Sequence, residues 1–212
     1  MTEEDRAHRW GKLVAELVAA GTLRTPHIIA AFGAVPRSLF VPPEHAHGAV
    51  TVDAPLSIGH GQTVSQPTTV AIMLELVQPK SGEKVLDVGT GSGWQAALLA
   101  HCVGVGGRVI TMERVPELSK QAEERLQSFP NIELRVGNAS GGIPSEAPFD
   151  VIISAAASAE IPPAWIEELA PEGRLLHPVA DMGLRVLRKD ADGRITQKDY
   201  PGFVFVPLVA DA

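Results

Sequence analysis

From Lys84 onward, short runs rich in Val, Ile and Leu alternate with stretches of helical periodicity, and this alternation constrains the fold more than any other feature. Runs at 85–88, 108–112, 132–136, 151–154 and 174–177 read as strands, and 94–102, 116–128 and 163–169 as helices. Parallel neighbours are reached only by a crossover, so strands spaced by helices imply an α/β fold with a mostly parallel sheet and helices on both faces. Ahead of this core, Trp10, Leu13, Val14, Leu17 and Val18 make 2–20 an amphipathic helix stopped by Gly21, and Pro26 opens a second. The Pro- and Gly-rich stretch 35–58 reads as an ordered loop or cap, and 67–77 as a helix ended by Gln78-Pro79-Lys80-Ser81-Gly82. After 183 the pattern becomes short antiparallel strands at 184–188, 195–198 and 203–209, with turn chemistry at Asp190-Ala191-Asp192-Gly193. A chain of 212 residues, 45% hydrophobic, fills one core. The expected organisation is therefore one domain over 1–212: an N-terminal helical cap and active-site segment (1–78), a ligand-binding core (79–182) and C-terminal strands (183–212).

Charge narrows the partners. With 18 basic against 25 acidic residues the net charge is −7, which disfavours nucleic acid. The start of the chain is acidic and no apolar run approaches the roughly 20 residues of a membrane span, so a cytoplasmic protein without membrane attachment is expected. The single cysteine, Cys102, lies in an apolar stretch and reads as a small core hydrophobe.

The chemical signal is the run Val85-Leu86-Asp87-Val88-Gly89-Thr90-Gly91-Ser92-Gly93, a strand entering a glycine-rich turn and then a helix. Such a turn brings a ligand against bare backbone. A dinucleotide fingerprint places glycines at its first, third and sixth positions; here they fall at the first, third and fifth, with Trp94 sixth. No Gly-Lys-Ser/Thr follows, so the turn is not a triphosphate loop. A ligand without phosphate, carrying a sulfonium and an ammonium, favours carboxylates nearby, and Asp87 ends the strand. Glu113, at the end of the next strand, is placed to accept both hydroxyls of a ribose, as an acidic residue does there in nucleoside-binding folds. Its neighbour Arg114 leaves an NADP reading open, and Trp94 is placed to pack near the ligand.

These residues, together with Val35-Pro36-Arg37-Ser38-Leu39-Phe40-Val41-Pro42, Pro55-Leu56-Ser57-Ile58-Gly59-His60-Gly61-Gln62-Thr63-Val64-Ser65-Gln66-Pro67 and Phe203-Val204-Phe205-Val206-Pro207-Leu208, resemble the protein-L-isoaspartate O-methyltransferase family over nearly the whole chain. The resemblance implies a Rossmann-like class I methyltransferase sandwich, S-adenosylmethionine as cofactor with S-adenosylhomocysteine as its product, and a monomer acting on damaged proteins or peptides. It implies methylation of the isoaspartyl carboxylate, then collapse to a succinimide that reopens partly to aspartate. Gly89, Thr90, Gly91, Ser92 and Gly93, with Asp87, Glu113, Arg114, Asn138 and Ala139, would hold the cofactor. Ile58, His60, Gln62, Thr63, Val64, Ala156 and Val206 would line the substrate cleft, and Ser65 would contact the substrate carboxylate as the catalytic residue.

Ser65 supports that role independently, since its hydroxyl can cap the helix starting at Pro67, a place that favours an anion. Methyl transfer to a carboxylate needs no strong base, because the nucleophile is already ionised near neutral pH. His60 is therefore not assigned as one. His45 and His47 lack the further ligands of a metal site, so no metal is expected. Ser154 and Ser158 end a strand where ligands bind in such sheets and are candidates for the cleft wall.

Several positions depart from the family pattern: Gly137-Asn138-Ala139 for Gly-Asp-Gly, Ala155-Ala156-Ala157-Ser158 for Ala-Ala-Pro, Thr68 for an aromatic residue, and Thr51-Val52-Asp53 without a tyrosine. They leave two further readings open. One is a dedicated enzyme that esterifies an aspartate in a modified precursor peptide to give an aspartimide; the other is an adaptor that binds cofactor without catalysis.

Overall fold

In the computed structural model, which describes residues 2–208, Thr2 and Asp5 close a reciprocal capping box on α1 (Glu3–Ala19). Pro26 stands at the first position of α2 (Pro26–Ala34), where a missing N–H is harmless. The indole N–H of Trp10 donates to Phe32 O (2.6 Å) and that of Trp94 to Val35 O (3.0 Å). Trp94 packs edge-on against both Trp10 and Phe32, which ties the first two helices to the core.

The stretch expected as loop or cap holds single turns at Arg37–Phe40 and Pro43–His45, the short α3 (Ala46–Thr51), and the first strand of a hairpin, β1 (Leu56–Gly59) with β2 (Gln62–Val64). The hairpin was not legible from composition. Its strands are four and three residues long, and His60 and Gly61 turn between them with φ of 53° and 71°, the left-handed pair of a two-residue hairpin loop.

Next come α4 (Pro67–Val77), β3 (Lys84–Val88), α5 (Trp94–Val103), β4 (Arg108–Glu113), α6 (Pro116–Leu126) and β5 (Ile132–Val136). They are followed by β6 (Phe149–Ser154), α7 (Pro163–Glu167), β7 (Leu169–Val179), β8 (Gly183–Lys189) and β9 (Ile195–Tyr200). The seven-stranded sheet has the order β5-β4-β3-β6-β7-β8-β9; the pairs from β5 to β7 are parallel, and β8 and β9 are antiparallel. Alternate residues feed opposite faces: Val85, Val109, Val151 and Ile153 pack with α1, α2, α4, α5 and α6, whereas Leu86, Ile110 and Ile152 pack with Trp165 of α7. This explains why the parallel strands read as continuous apolar runs.

Most expected boundaries move by one or two residues, and two expectations change more. Leu169, expected in the last helix, begins β7, where it pairs with Phe149. The expected strand 203–209 forms no ladder over 203–208; it makes one isolated parallel bridge, Pro207 to Ala157, and Val209 lies outside the described residues. Pro201 just before this segment and Pro207 within it withhold N–H donors. No helix among the described residues is long and apolar enough to cross a membrane.

Candidate active site

Chain order creates the site. From β3 the chain moves outward to β4 and β5, then returns to place β6 on the other side of β3, so a crevice opens at the carboxyl ends of β3 and β6. A cavity lies there. Its floor is Val88, Gly89 and Gly91 at the end of β3, Met112 to Val115 at the end of β4, Gly137 to Ala139 after β5, and Ala155 and Ala156 after β6. Gln62 and Thr63 of the hairpin and Val206 to Leu208 form its roof. The roof is pinned to the floor because Val206 O accepts from Ala157 N (2.8 Å) and Ala157 O from Leu208 N (2.6 Å).

The glycine turn is shaped by backbone hydrogen bonds and by positive φ at Gly89, Gly91 and Gly93. Gly89 and Thr90 both donate to Met112 O (3.0 and 3.1 Å), and Gly93, at φ 90°, would strain any side chain and crowd it against Leu126, which a Cβ would meet at 3.2 Å. Glu113 points its carboxylate across the turn, accepting from Gly91 N (2.7 Å) through Oε2 and from Val115 N (2.9 Å) through Oε1. The group expected at a ribose diol is thus fixed in place by two backbone donors while it lines the cavity. Asn138 also lines the cavity, and its Oδ1 accepts from Ser140 N (2.9 Å), which orients its amide. Ala139 tolerates its methyl group because it lies against the Trp165 layer, its carbonyl accepting the indole N–H at 2.7 Å.

Several expected ligand contacts lie beneath the turn instead. Asp87 is fully buried: Oδ1 accepts from Gln95 Nε2 and Oδ2 from Thr111 Oγ1, both at 2.7 Å, and Thr111 in turn meets Thr90 Oγ1 at 2.6 Å. Burial pushes the Asp87 carboxyl up to about 6, against the opposing pull of its two donors. Asp87 therefore supports the turn from below rather than facing a ligand cation. Thr90, Ser92 and Gly93 are likewise turned inward, and Trp94, expected near the ligand, is used up in the Trp10–Phe32 cluster. Ser154 is buried with its hydroxyl on Ala156 O (2.8 Å) and is not among the residues lining this cavity. Met112 and Val115, which the sequence did not single out, join Ala155, noted only as a departure from the family pattern, in supplying the cavity's apolar surface. Their signal was positional: each lies within two residues of the carboxyl end of a parallel strand.

A second cavity adjoins the first and shares Thr63, Ala155 and Val206 with it. Ser65 opens onto this second cavity beside Pro55, Gln66, Thr69 and Phe205. Ser65 does not cap α4, however. Gln66 is the N-cap, without a side-chain bond, and Asp53 takes the helix's first-turn donor instead, accepting from Thr68 N (2.9 Å) and Thr68 Oγ1 (2.5 Å). Ile58 and Val64 are buried behind the wall, Ile58 against Gly91, and His60 is exposed at the hairpin tip. Of the expected substrate residues, Thr63, Ser65 and Val206 meet in the second cavity, while Gln62 and Ala156 belong to the first.

Comparison with known proteins agrees with this architecture. The model of the protein-L-isoaspartate(D-aspartate) O-methyltransferase family matches residues 8–212. The chain belongs to this family. Among its relatives, the protein-L-isoaspartate O-methyltransferase of Aeropyrum pernix is 43% identical over 206 residues (94% of this chain, 79% of that one), and that of Methanopyrus kandleri is 40% identical over 219 (100% and 96%). A crystal structure from Plasmodium falciparum, described as a protein-L-isoaspartate O-methyltransferase in complex with S-adenosyl-L-homocysteine, superposes with a TM-score of 0.83 at 24% identity, covering 94% of this chain and 98% of that one, and shares the fold.

Within this isoaspartate methyltransferase family chain, the departing positions are structurally occupied. Thr68 is the partner of Asp53, and the hydroxyl of Ser158 donates to Glu160 O while accepting from His177 Nε2 at 2.7 Å. A hydroxyl has one proton to give, so Nε2 of His177 carries its hydrogen and the buried Nδ1 is bare. Burial pushes His177 down to about 4 and keeps the ring neutral against the edge of Trp165. The pair ties the loop after β6, whose Ala155 and Ala156 form the cavity floor, to β7. Among the described residues no group of three His, Cys, Asp or Glu side chains is placed to hold a metal ion. Cys102 is buried, its thiol pushed up to about 12.

Proposed function

We propose that this chain transfers the methyl group of S-adenosylmethionine to the side-chain carboxylate of L-isoaspartyl residues in proteins and peptides. The observation that carries the reading is the junction of two cavities: one with a nucleoside-type acidic anchor, one holding Ser65, meeting at Thr63, Ala155 and Val206. The first cavity fits the cofactor by the chemistry of its donors. The fixed Glu113 carboxylate suits a ribose diol, the polar Asn138 with its apolar neighbours Met112 and Val115 suits an adenine, and the side-chain-free Gly89 and Gly91 suit the amino-acid portion.

When bound, S-adenosylmethionine supplies an electrophilic methyl group on a sulfonium. The residues of the second cavity have simpler tasks. Ser65 hydrogen-bonds and aims a carboxylate that is already ionised at neutral pH, so no side chain need remove a proton. Val206 and Ala155, both apolar, exclude water at the junction, and catalysis consists of alignment and desolvation. The resulting ester is open to attack by the following backbone amide nitrogen, which expels methanol and closes a succinimide; water then reopens the ring to aspartate or isoaspartate. Both cavities are lined by one chain, so the reading needs no second copy.

Chromatography of an isoaspartyl peptide incubated with enzyme and S-adenosylmethionine tests the sequence of events. Succinimide followed by the normal aspartyl peptide is expected. Persistence of the isoaspartyl peptide over many turnover times refutes the reading.

A further inference from the structure

Behind the second cavity lies a charge that the reaction does not use. Arg37 is fully buried, on the turn at Arg37–Phe40, with no carboxylate among its hydrogen-bond partners in the described residues. Its Nη1 donates to Val52 O (3.3 Å) and its Nη2 to Ala54 O (2.7 Å) and Val64 O (3.2 Å), while the guanidinium lies 5.8 Å from the Trp94 ring centroid. Burying a guanidinium among carbonyls is expensive, and the nearby Asp53 offsets part of the penalty. Asp53 stands between two of those carbonyls and clamps the first turn of α4 through Thr68.

The anchor points are not scattered. Ala54 precedes Pro55, Val64 stands between Thr63 and Ser65, and Thr68 precedes Thr69; each of these neighbours lines the second cavity. Because the peptide unit is trans and planar, turning the Val64 carbonyl toward Arg37 directs the Ser65 N–H away from it.

We propose that Arg37 and Asp53 are positioning residues for substrate: a buried cation and a surface carboxylate that together set the spacing of segment 52–55, the Val64–Ser65 peptide and the start of α4 around the carboxylate to be methylated. The inference rests on the function proposed above. It predicts a separation of effects. Asp53 is exposed, so Asp53→Ala should fold; it should raise KM for an isoaspartyl peptide about tenfold, with kcat and the calorimetric affinity for S-adenosylhomocysteine changed less than about twofold. Asp53→Asn, which keeps an acceptor for Thr68, should recover part of the loss. Arg37→Lys, which keeps charge but loses the fork, should behave like Asp53→Ala.

Hydrogen exchange supplies a readout independent of turnover. Both variants should speed exchange over 62–66 and leave the glycine turn at 89–93 unchanged. Unaltered KM and unaltered exchange at 62–66 in folded Asp53→Ala overturn the proposal. Failure of the unsubstituted enzyme to methylate any isoaspartyl peptide overturns the function instead, and the exchange data still decide whether these two residues hold the wall.

Discussion

Two buried groups, Asp87 beneath the glycine turn and His177 beneath the loop after β6, are displaced in opposite directions, and their effects on stability should cancel in mildly acidic solution. The unfolded chain protonates His177 below 6.5, whereas the folded chain does so only below about 4. Its contribution is therefore complete above pH 6.5 and is lost as pH falls toward 4, at about 1.36 kcal/mol per pH unit, about 3 kcal/mol in all. Asp87 runs the other way. Its carboxyl ionises at 3.8 in the unfolded chain and about 6 in the folded one, so its contribution is complete below pH 3.8 and is lost, again by about 3 kcal/mol, as pH rises to 6. Between about pH 4 and 6 the folded protein has given up the His177 proton and retained that of Asp87, and the two slopes oppose. Urea denaturation of unsubstituted protein, His177→Gln and Asp87→Asn at intervals from pH 4 to 7 exposes each slope, since other titrating groups are common to all three. The deficit of His177→Gln relative to the unsubstituted protein should shrink by about 3 kcal/mol from pH 7 to pH 4. The advantage that Asp87→Asn gains at pH 7 from removing a buried charge should shrink by a similar amount, about 3 kcal/mol. Profiles of both variants parallel to that of the unsubstituted protein would refute the assignment of burial as the cause of both shifts.

The site makes further predictions. Ser65→Ala should lower kcat/KM for an isoaspartyl peptide by about 10- to 100-fold, the worth of a hydrogen bond to a charged group, while the affinity for S-adenosylhomocysteine measured by calorimetry stays within about twofold. Glu113→Ala should do the reverse, weakening S-adenosylhomocysteine binding by about 10-fold or more, because it removes the proposed diol acceptor and releases the N–H groups of Gly91 and Val115. Gly93→Ala places a methyl group at φ 90° and 3.2 Å from Leu126, and a loss of about 2 kcal/mol or more in urea unfolding is expected.

What the sequence made legible follows its strongest physical patterns. The alternation after Lys84 is strong because strands buried on both faces are continuously apolar and their crossover helices are not, so the core elements were placed to within a few residues. The turn at 89–93 was legible because three glycines in five positions have few other uses. The hairpin at 56–64 was hidden by its brevity and by glycines that serve its turn. The inward orientation of Asp87 was also hidden: a strand-end carboxylate reads the same whether it faces the crevice or Gln95 and Thr111 below it, and only packing decides. Ser65 was assigned by spacing to cap α4, but Asp53, 15 positions upstream of Thr68, accepts the first-turn N–H instead, a long-range contact that local rules do not reach.

The claim that matters most is methyl transfer to an isoaspartyl carboxylate, and base-labile label incorporated from radioactive S-adenosylmethionine measures it directly. Two peptides of identical sequence, with isoaspartate or aspartate at one position, are compared at equal concentration. Labelling of the isoaspartyl peptide, with background incorporation into its aspartyl twin, is the predicted result; labelling of the aspartyl peptide alone, or of neither, contradicts it.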